Sequence, residues 1–444
     1  MKRNILKYID SWKIKATRRP LLLRGARQVG KTWSIREHGK GYEYFVELNL
    51  DARPEYAKPF QELYGQPDLL LQAVQNLVGI PVVPGKTLLF IDEIQEYPEA
   101  LKALRYFKEK LPDLHVIAAG SLLEFTIKEH SFPVGRIEFA HLFPLDFNEF
   151  LAAKGRDDLV ARIQEMSPRS PPDLATHQML IDECATYFLL GGMPEVVKSF
   201  VDGAPAQDCQ DILQVILATY REDFYKYAPK AKIEYLRKVF DNGPKLLGQK
   251  FKYTNIDREA RSRELGEALN LMVEAGLVYR ASHTSADGVP LSAQEKTEKF
   301  KLFFVDIGVC ARILGIRLSD VLSRPKKLNH LVTGGLAEQF VAQELVSMTL
   351  PNHRPSLHYW HREAKSSKAE VDFVFEQDQR LYPIEVKSTQ GGAMKSLHIF
   401  LAEKSAHVKY GVKISQAPWG TYGGVLNLPF YSVRRLTAAG GFAD

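Results

Sequence analysis

Eight residues near the N-terminus constrain this chain more than any other stretch: Gly25-Ala26-Arg27-Gln28-Val29-Gly30-Lys31-Thr32. They follow the apolar run Pro20-Leu21-Leu22-Leu23-Arg24 and precede a helix-like segment, Trp33 to His38. Strand, glycine-rich loop and helix in that order fit the pattern G-x-x-x-x-G-K-[ST]. The physical reading is specific. Glycines let backbone N–H groups converge on phosphate oxygens without Cβ clashes. The start of the following helix adds its positive dipole end. Lys31 is expected to reach the β- and γ-phosphates of a nucleotide, and Thr32 to ligate magnesium. The bland alternative is a glycine-rich turn carrying a solvated lysine.

A second signal lies downstream. Thr87-Leu88-Leu89-Phe90-Ile91-Asp92-Glu93 is an unbroken apolar run closed by two acids. Such a run suits a parallel strand buried on both faces. In company with the loop, Asp92 is expected to hold Mg²⁺ and Glu93 to polarise an attacking water. Tyr44 to Asn49 and Leu114 to Ala119 read as further strands, with a helix over Glu99 to Lys110 between the last two. Residues 1–17 place Ile5, Leu6, Ile9 and Trp12 at helical spacing, as in a helix packed beside this unit.

The rest of the chain changes texture. Its 444 residues are too many for one core, so two to four domains are expected. Residues 153–176 are polar and proline-rich and read as a loop or insertion. Leu190-Gly191-Gly192-Met193-Pro194-Glu195 forces a turn between helices, and Asp211 to Tyr227 reads as one long aromatic-rich helix. Tyr235–Leu247, Asn255–Arg261 and Ser262–Ala275 read as three helices. They are followed by two strands around a polar loop, the composition of a winged-helix unit. Arg258, Arg261 and Arg263 suit phosphates, whereas Glu259, Glu264, Glu267 and Glu274 do not, so DNA contact and protein contact both stay open.

Residues beyond 323 carry the third signal. A helix over Leu331–Leu350 holds Glu338, Asp372 is expected near the centre of a strand, and Ile384-Glu385-Val386-Lys387 lies on the hairpin partner. Residues i and i+2 of a strand share a face, so Glu385 and Lys387 point together. Asp372 with Glu-x-Lys is the pattern of a restriction-endonuclease-like core. There Glu338, Asp372 and Glu385 would bind Mg²⁺ while Lys387 helps activate water. A salt-bridged hairpin with no chemistry is the alternative.

Composition adds bounds. Hydrophobic content of 45% and charged content of 25% are ordinary for a globular protein, and no apolar run reaches a membrane span. Cys184, Cys209 and Cys310 are scattered and odd in number, which argues against disulfides and a zinc site and for a cytoplasmic setting. No signal peptide is read after the basic N-terminus. A net charge of +6 permits nucleic-acid binding without establishing it.

Together these segments, with Phe90 to Gln95, Gly120-Ser121, Gly135-Arg136, Asp306-Ile307-Gly308 and Glu370 to Phe373, resemble a known prokaryotic AAA-type ATPase family. Its members join an N-terminal P-loop module to a C-terminal domain of unknown function. The resemblance spans nearly the whole chain and implies ATP binding and hydrolysis. It implies an α/β P-loop domain with a parallel sheet, a helical and winged-helix middle, and an α/β restriction-endonuclease-like tail. The expected boundaries are 1–152, 153–232, 233–322 and 323–444. By the same resemblance Ser121 is a candidate for the polar residue that senses the γ-phosphate, although it equally suits a helix N-cap. Arg136 is a candidate arginine finger acting on its own or a neighbour's nucleotide, in a homo-oligomer in the second case, or a plain surface arginine. No arginine of the sensor 2 kind follows the core. The functional expectation is a Mg²⁺-dependent ATPase coupled to DNA binding or processing. Its rival is a regulatory ATPase whose C-terminal domain is an inactive protein-binding module.

Overall fold

The computed structural model describes residues 1–120, 123, 135–317, 334–363 and 369–437. Strands β1 (Leu21–Arg24), β2 (Tyr44–Asn49), β3 (Thr87–Asp92), β4 (His115–Ala119) and β5 (Glu138–His141) form one sheet in the order β2-β3-β4-β1-β5. Every pairing in it is parallel. β1, β3 and β4 are buried along their whole length, which is why their sequences are continuous apolar runs rather than alternating ones. Alternate residues still feed different cores. Leu22, Leu89 and Ile91 pack with Leu70, Val74, Leu101 and Phe107 of helices Pro67–Val78 and Pro98–Lys110. Leu21, Leu23, Leu88 and Phe90 face the other way. There they join a core continuous with the middle and C-terminal parts of the chain. The eight-residue loop runs from the end of β1 into helix Lys31–Gly39. This is an α/β P-loop NTPase domain.

Helix Asn4–Ile14 covers it with Ile5, Ile9 and Trp12, as its spacing predicts. The expectation of a loop over 153–176 is corrected: Asp157–Glu165 is a helix. Leu159 and Ile163, four residues apart, are buried in the main core, and Asp157 and Asp158 sit in the first turn where the helix dipole favours acids. Proline density nearby concealed this short amphipathic period.

The middle of the chain is helical: Leu174–Leu190, Pro194–Val201, Ala206–Tyr227, Lys230–Asn242 and Ser262–Glu274, with only a single turn at Tyr253–Ile256 where a longer helix is expected. The hairpin β6 (Val278–Thr284) and β7 (Glu295–Phe304) follows. That hairpin does not stand alone. β6 pairs in parallel with β8 (Leu357–His361), which pairs with β9 (Glu370–Val371). The middle and the C-terminal part therefore share one four-stranded sheet, β7-β6-β8-β9. The expected boundary at 322/323 lies outside the described residues.

A second five-stranded sheet lies beyond: β10 (Phe373–Gln377), β11 (Arg380–Val386), β12 (Gly411–Ser415), β13 (Gly420–Tyr422) and β14 (Val425–Pro429), in the order β10-β11-β12-β14-β13. One expectation changes here. Asp372 is not central in a strand. It sits between β9 and β10, where the chain leaves one sheet and enters the other.

Candidate functional site

The phosphate loop is shaped by backbone conformations that its glycines supply. Gly25 has φ +149°, and a Cβ there would lie 2.3 Å from the Leu142 carbonyl oxygen; Gly30 has φ +94° at the helix start. Gln28 takes φ +64° as well. Lys31 is buried, and its Nζ donates to the carbonyls of Gly25 and Ala26, each at 2.9 Å. Burial lowers its pKa to about 8, opposed by the charges of Glu93 and Asp92. Thr32 Oγ1 donates to Asp92 Oδ2 at 2.8 Å, and Asp92 Oδ1 accepts from the Glu93 amide at 3.1 Å. Burial raises the Asp92 pKa. Glu93 has φ +51°, and its Oε2 accepts from Gln95 Nε2 at 2.6 Å. Gln95 packs against the end of β4: a Cβ on Gly120 would meet its Oε1 at 2.1 Å. The structure thus brings Lys31, Thr32, Asp92 and Glu93 together. Thr32 and Asp92 are hard oxygen donors in contact, a set that fits Mg²⁺.

Residues distant in sequence, several of them beyond the P-loop domain, hold this loop. Arg27 pairs with Asp223 at 2.5 Å, and its carbonyl accepts from Tyr220 Oη at 2.9 Å. Both partners lie on helix Ala206–Tyr227. Arg3 donates to the Val29 carbonyl at 3.0 Å and to Phe143 at 2.6 Å. A Cβ on Gly30 would touch Pro194 at 3.3 Å. The turn before Pro194 is locked in turn. Asp306 Oδ2 accepts from the Gly192 amide at 2.6 Å, and a side chain on Gly191 or Gly192 would collide with Asp306 or Leu145 at 2.0 Å. Sequence reading placed the Gly-Gly-Met-Pro and Asp-Ile-Gly segments apart; they are the two halves of one joint. Arg3, Tyr220 and Asp223 had no motif to announce them.

Arg136 is half exposed and pairs with Glu109 at 3.1 Å. Ser121 lies outside the described residues.

The C-terminal constellation is also assembled, with an addition. Glu338 on helix Gly334–Met348, Asp372 and Glu370 surround the Nζ of Lys301 at 3.0, 3.1 and 2.8 Å. Lys301 belongs to β7 and is fully buried. The carboxylates hold its ammonium well above the ordinary lysine range, Asp372 most strongly, against the effect of burial. Asp372 Oδ2 accepts from the Val386 amide at 2.9 Å. Lys387 Nζ meets Glu385 Oε1 at 2.6 Å, confirming that the two share a face, while Glu385 Oε2 is buried without a hydrogen-bond partner. Burial and the nearby Asp372 charge raise the pKa of both Glu338 and Glu385. Neither Lys301 nor Glu370 was marked as part of this site by the Asp…Glu-x-Lys spacing. Lys301 comes from a different sheet strand some seventy residues earlier, and an alternating strand gives a buried lysine no signature.

The loop geometry and the parallel sheet define a P-loop NTPase domain. Residues 17–151 match the family model described as an AAA domain. Residues 181–320 and 333–431 match two models described as domains of unknown function, DUF8612 and DUF4143. No curated protein matches the chain. Among solved structures, the Walker-type ATPase of Pyrococcus abyssi is 15% identical with a TM-score of 0.44, covering 70% of this chain and 95% of that one. The Aeropyrum pernix ORC1 protein, solved in complex with DNA, is 11% identical with a TM-score of 0.28, covering 72% and 93%. C. elegans PCH-2 is 14% identical with a TM-score of 0.25, covering 41% and 56%. Likenesses this faint carry no argument about what the chain acts on. Among the described residues no helix is long and apolar enough to cross a membrane.

Proposed function

We propose that the chain is an ATP-hydrolysing switch whose nucleotide state is read by its own helical and C-terminal parts. The observation that carries this is the meeting of Lys31, Thr32 and Asp92 beneath a glycine loop held by Arg3, Tyr220 and Asp223. Thr32 and Asp92 would hold Mg²⁺, which neutralises charge on the transferring phosphoryl group when bound. Lys31 exchanges two neutral carbonyl partners for phosphate oxygens. Glu93 orients the attacking water once Gln95 lets its carboxylate turn. Because Arg27 is held by Asp223 and Tyr220 of helix Ala206–Tyr227, and Pro194 lies where a Cβ on Gly30 would sit, any rearrangement of the loop is felt beyond the P-loop domain. Glu93→Gln should keep ATP binding and lower steady-state turnover by roughly 10²- to 10⁴-fold, the range for loss of a general base. Unchanged turnover would remove Glu93 from this role.

For the C-terminal part, Lys301 supports the regulatory reading over DNA processing. An ammonium already occupies the centre of the acidic cluster, where cleavage chemistry needs a divalent cation. Coupling to DNA cleavage, with Asp372, Glu385, Glu338 and Lys387 as its machinery, would require Lys301 to withdraw. Homo-oligomerisation, with Arg136 presented to a neighbour's nucleotide, belongs to this proposal as well.

A further inference from the structure

Where β6 and β8 run side by side, two histidines and a glutamate converge beside the Lys301 cluster, His361 pairing across strands with Glu370. His283, His361 and Glu363 each offer a donor atom, all within 4.8 Å of one another. The imidazole rings are 4.1 Å apart between centroids. The parallel register explains this: His283 pairs with Tyr359, so His361 lies two residues further along and on the same face. His283 is 1% exposed. Its Nε2 lies 3.2 Å from the His361 carbonyl. A carbonyl only accepts, so Nε2 carries the proton and Nδ1 keeps its lone pair. That Nδ1 is buried and has no hydrogen-bond partner, and the same is true of the His361 Nδ1.

Two buried, unpartnered ring nitrogens at one place are costly unless something else binds there. We propose that His283, His361 and Glu363 bind one divalent transition-metal ion of the zinc class. The donor set suits it: imidazole and carboxylate are ligands of Zn²⁺, and a ligating histidine ordinarily donates its other N–H to a carbonyl or carboxylate, as His283 does. Three protein ligands leave a fourth position for water. Tetrahedral donors at zinc distances lie roughly 3.4 Å apart, so the site closes by no more than about 1.4 Å on binding. Glu363 is paired with Lys296 at 2.5 Å and Lys299 at 2.7 Å; it is exposed, and turning its carboxylate to the metal gives up only surface ion pairs. The scattered cysteines argue against a thiolate site and leave this one untouched. The ion would staple the β6–β7 hairpin, which carries Lys301, to β8 of the C-terminal part.

The test uses the full chain, stripped with chelator and titrated with Co²⁺ in excess Mg²⁺, which occupies the all-oxygen sites. The expected result is one equivalent of Co²⁺ with visible d–d absorption, displaced by one equivalent of Zn²⁺. His361→Gln should lose that equivalent, and Glu363→Gln should weaken it by about tenfold or more. Circular dichroism reports whether each variant is folded. If His361→Gln does not fold, Glu363→Gln decides, since an exposed carboxylate is not needed for the core. The proposal is overturned if the wild-type chain shows no such absorption. It is equally overturned if folded His361→Gln, or folded Glu363→Gln, binds Co²⁺ as the wild type does.

Discussion

Two buried lysines in this molecule are in opposite conditions. Lys31 touches only carbonyls of its own loop, and burial pulls its pKa down to about 8. Lys301 touches Glu338, Glu370 and Asp372, which hold it charged. A buried ammonium without a counter-ion is a site that lacks an anion; one inside three carboxylates already has its anions. The first is poised to gain a polyphosphate. The second makes the acidic cluster a structural element for as long as it stays in place. The same residue type thus marks a ligand site in one sheet and a closed one in the other, and the difference is who the nearest neighbours are.

The largest effect is expected from removing the closed lysine. Lys301→Met leaves the half-buried Glu338, Glu370 and Asp372 facing one another without their cation; breaking a buried pair costs about 3–5 kcal/mol of stability, and the partial exposure of these acids places the cost toward the lower end. The pH dependence has a definite sign. Glu338 already has its folded pKa raised to about 8, so its contribution is fully present below the unfolded value and lost as pH rises toward 8. Without Lys301 it rises further. The variant should therefore be closest to wild type under acidic conditions and weakest above pH 8, by thermal unfolding across that range. Mg²⁺ or Ca²⁺ should raise the melting temperature of the variant more than that of the wild type, since only the variant has this cluster open. A variant as stable as wild type at pH 8, with no response to divalent ions, would mean that Lys301 is not what balances these acids.

How much of this was legible beforehand follows from the range of the interactions. The phosphate loop, Asp92-Glu93 and the buried parallel strands are local patterns: a tight turn, an apolar run and a helix start are written within a dozen residues. Glu338, Asp372, Glu385 and Lys387 were legible as a group because strand alternation and one helix are short-range too. The kink at Asp372 was not, because two sheets compete for the segment and the winner is decided by β8 and β11. Helix Asp157–Glu165 was hidden by its proline-rich neighbours. Lys301, Tyr220 and Asp223 act across long sequence separations, and no periodicity encodes a partner that far away. The Gly191-Gly192 turn showed that a bend was needed; only the packing showed that Asp306 and Leu145 require the space a side chain would fill.

On the open side of the comparison, Lys31→Ala should remove the one cation that the loop brings to the β- and γ-phosphates. Loss of a preorganised charge-stabilising donor lowers turnover by roughly 10²–10³-fold, about 2.7–4 kcal/mol. ATP affinity should fall with it, while the melting temperature without nucleotide should be unchanged or slightly higher, because a desolvated ammonium has been taken out. Nucleotide binding by the variant equal to that of wild type would place the phosphates elsewhere.

The smallest effect follows from the same lysine kept intact. An empty loop holds Lys31 with a pKa of about 8, well below the unfolded 10.5. Phosphate oxygens favour the ammonium, so bound nucleotide raises that pKa back. Below pH 8 the lysine is charged with or without ligand, and affinity should be flat. Above it, binding must take up a proton, and affinity should fall as pH rises, by up to about tenfold per unit until the bound-state value is passed. Lys301 provides the internal contrast, since its carboxylates keep it charged throughout this window and it contributes no such slope. Titrating a non-hydrolysable nucleotide at pH 8 and pH 9 reads the linkage directly. Equal affinities would show that Lys31 is as fully charged in the empty loop as in the filled one, and the contrast between the two lysines would then rest on their neighbours alone.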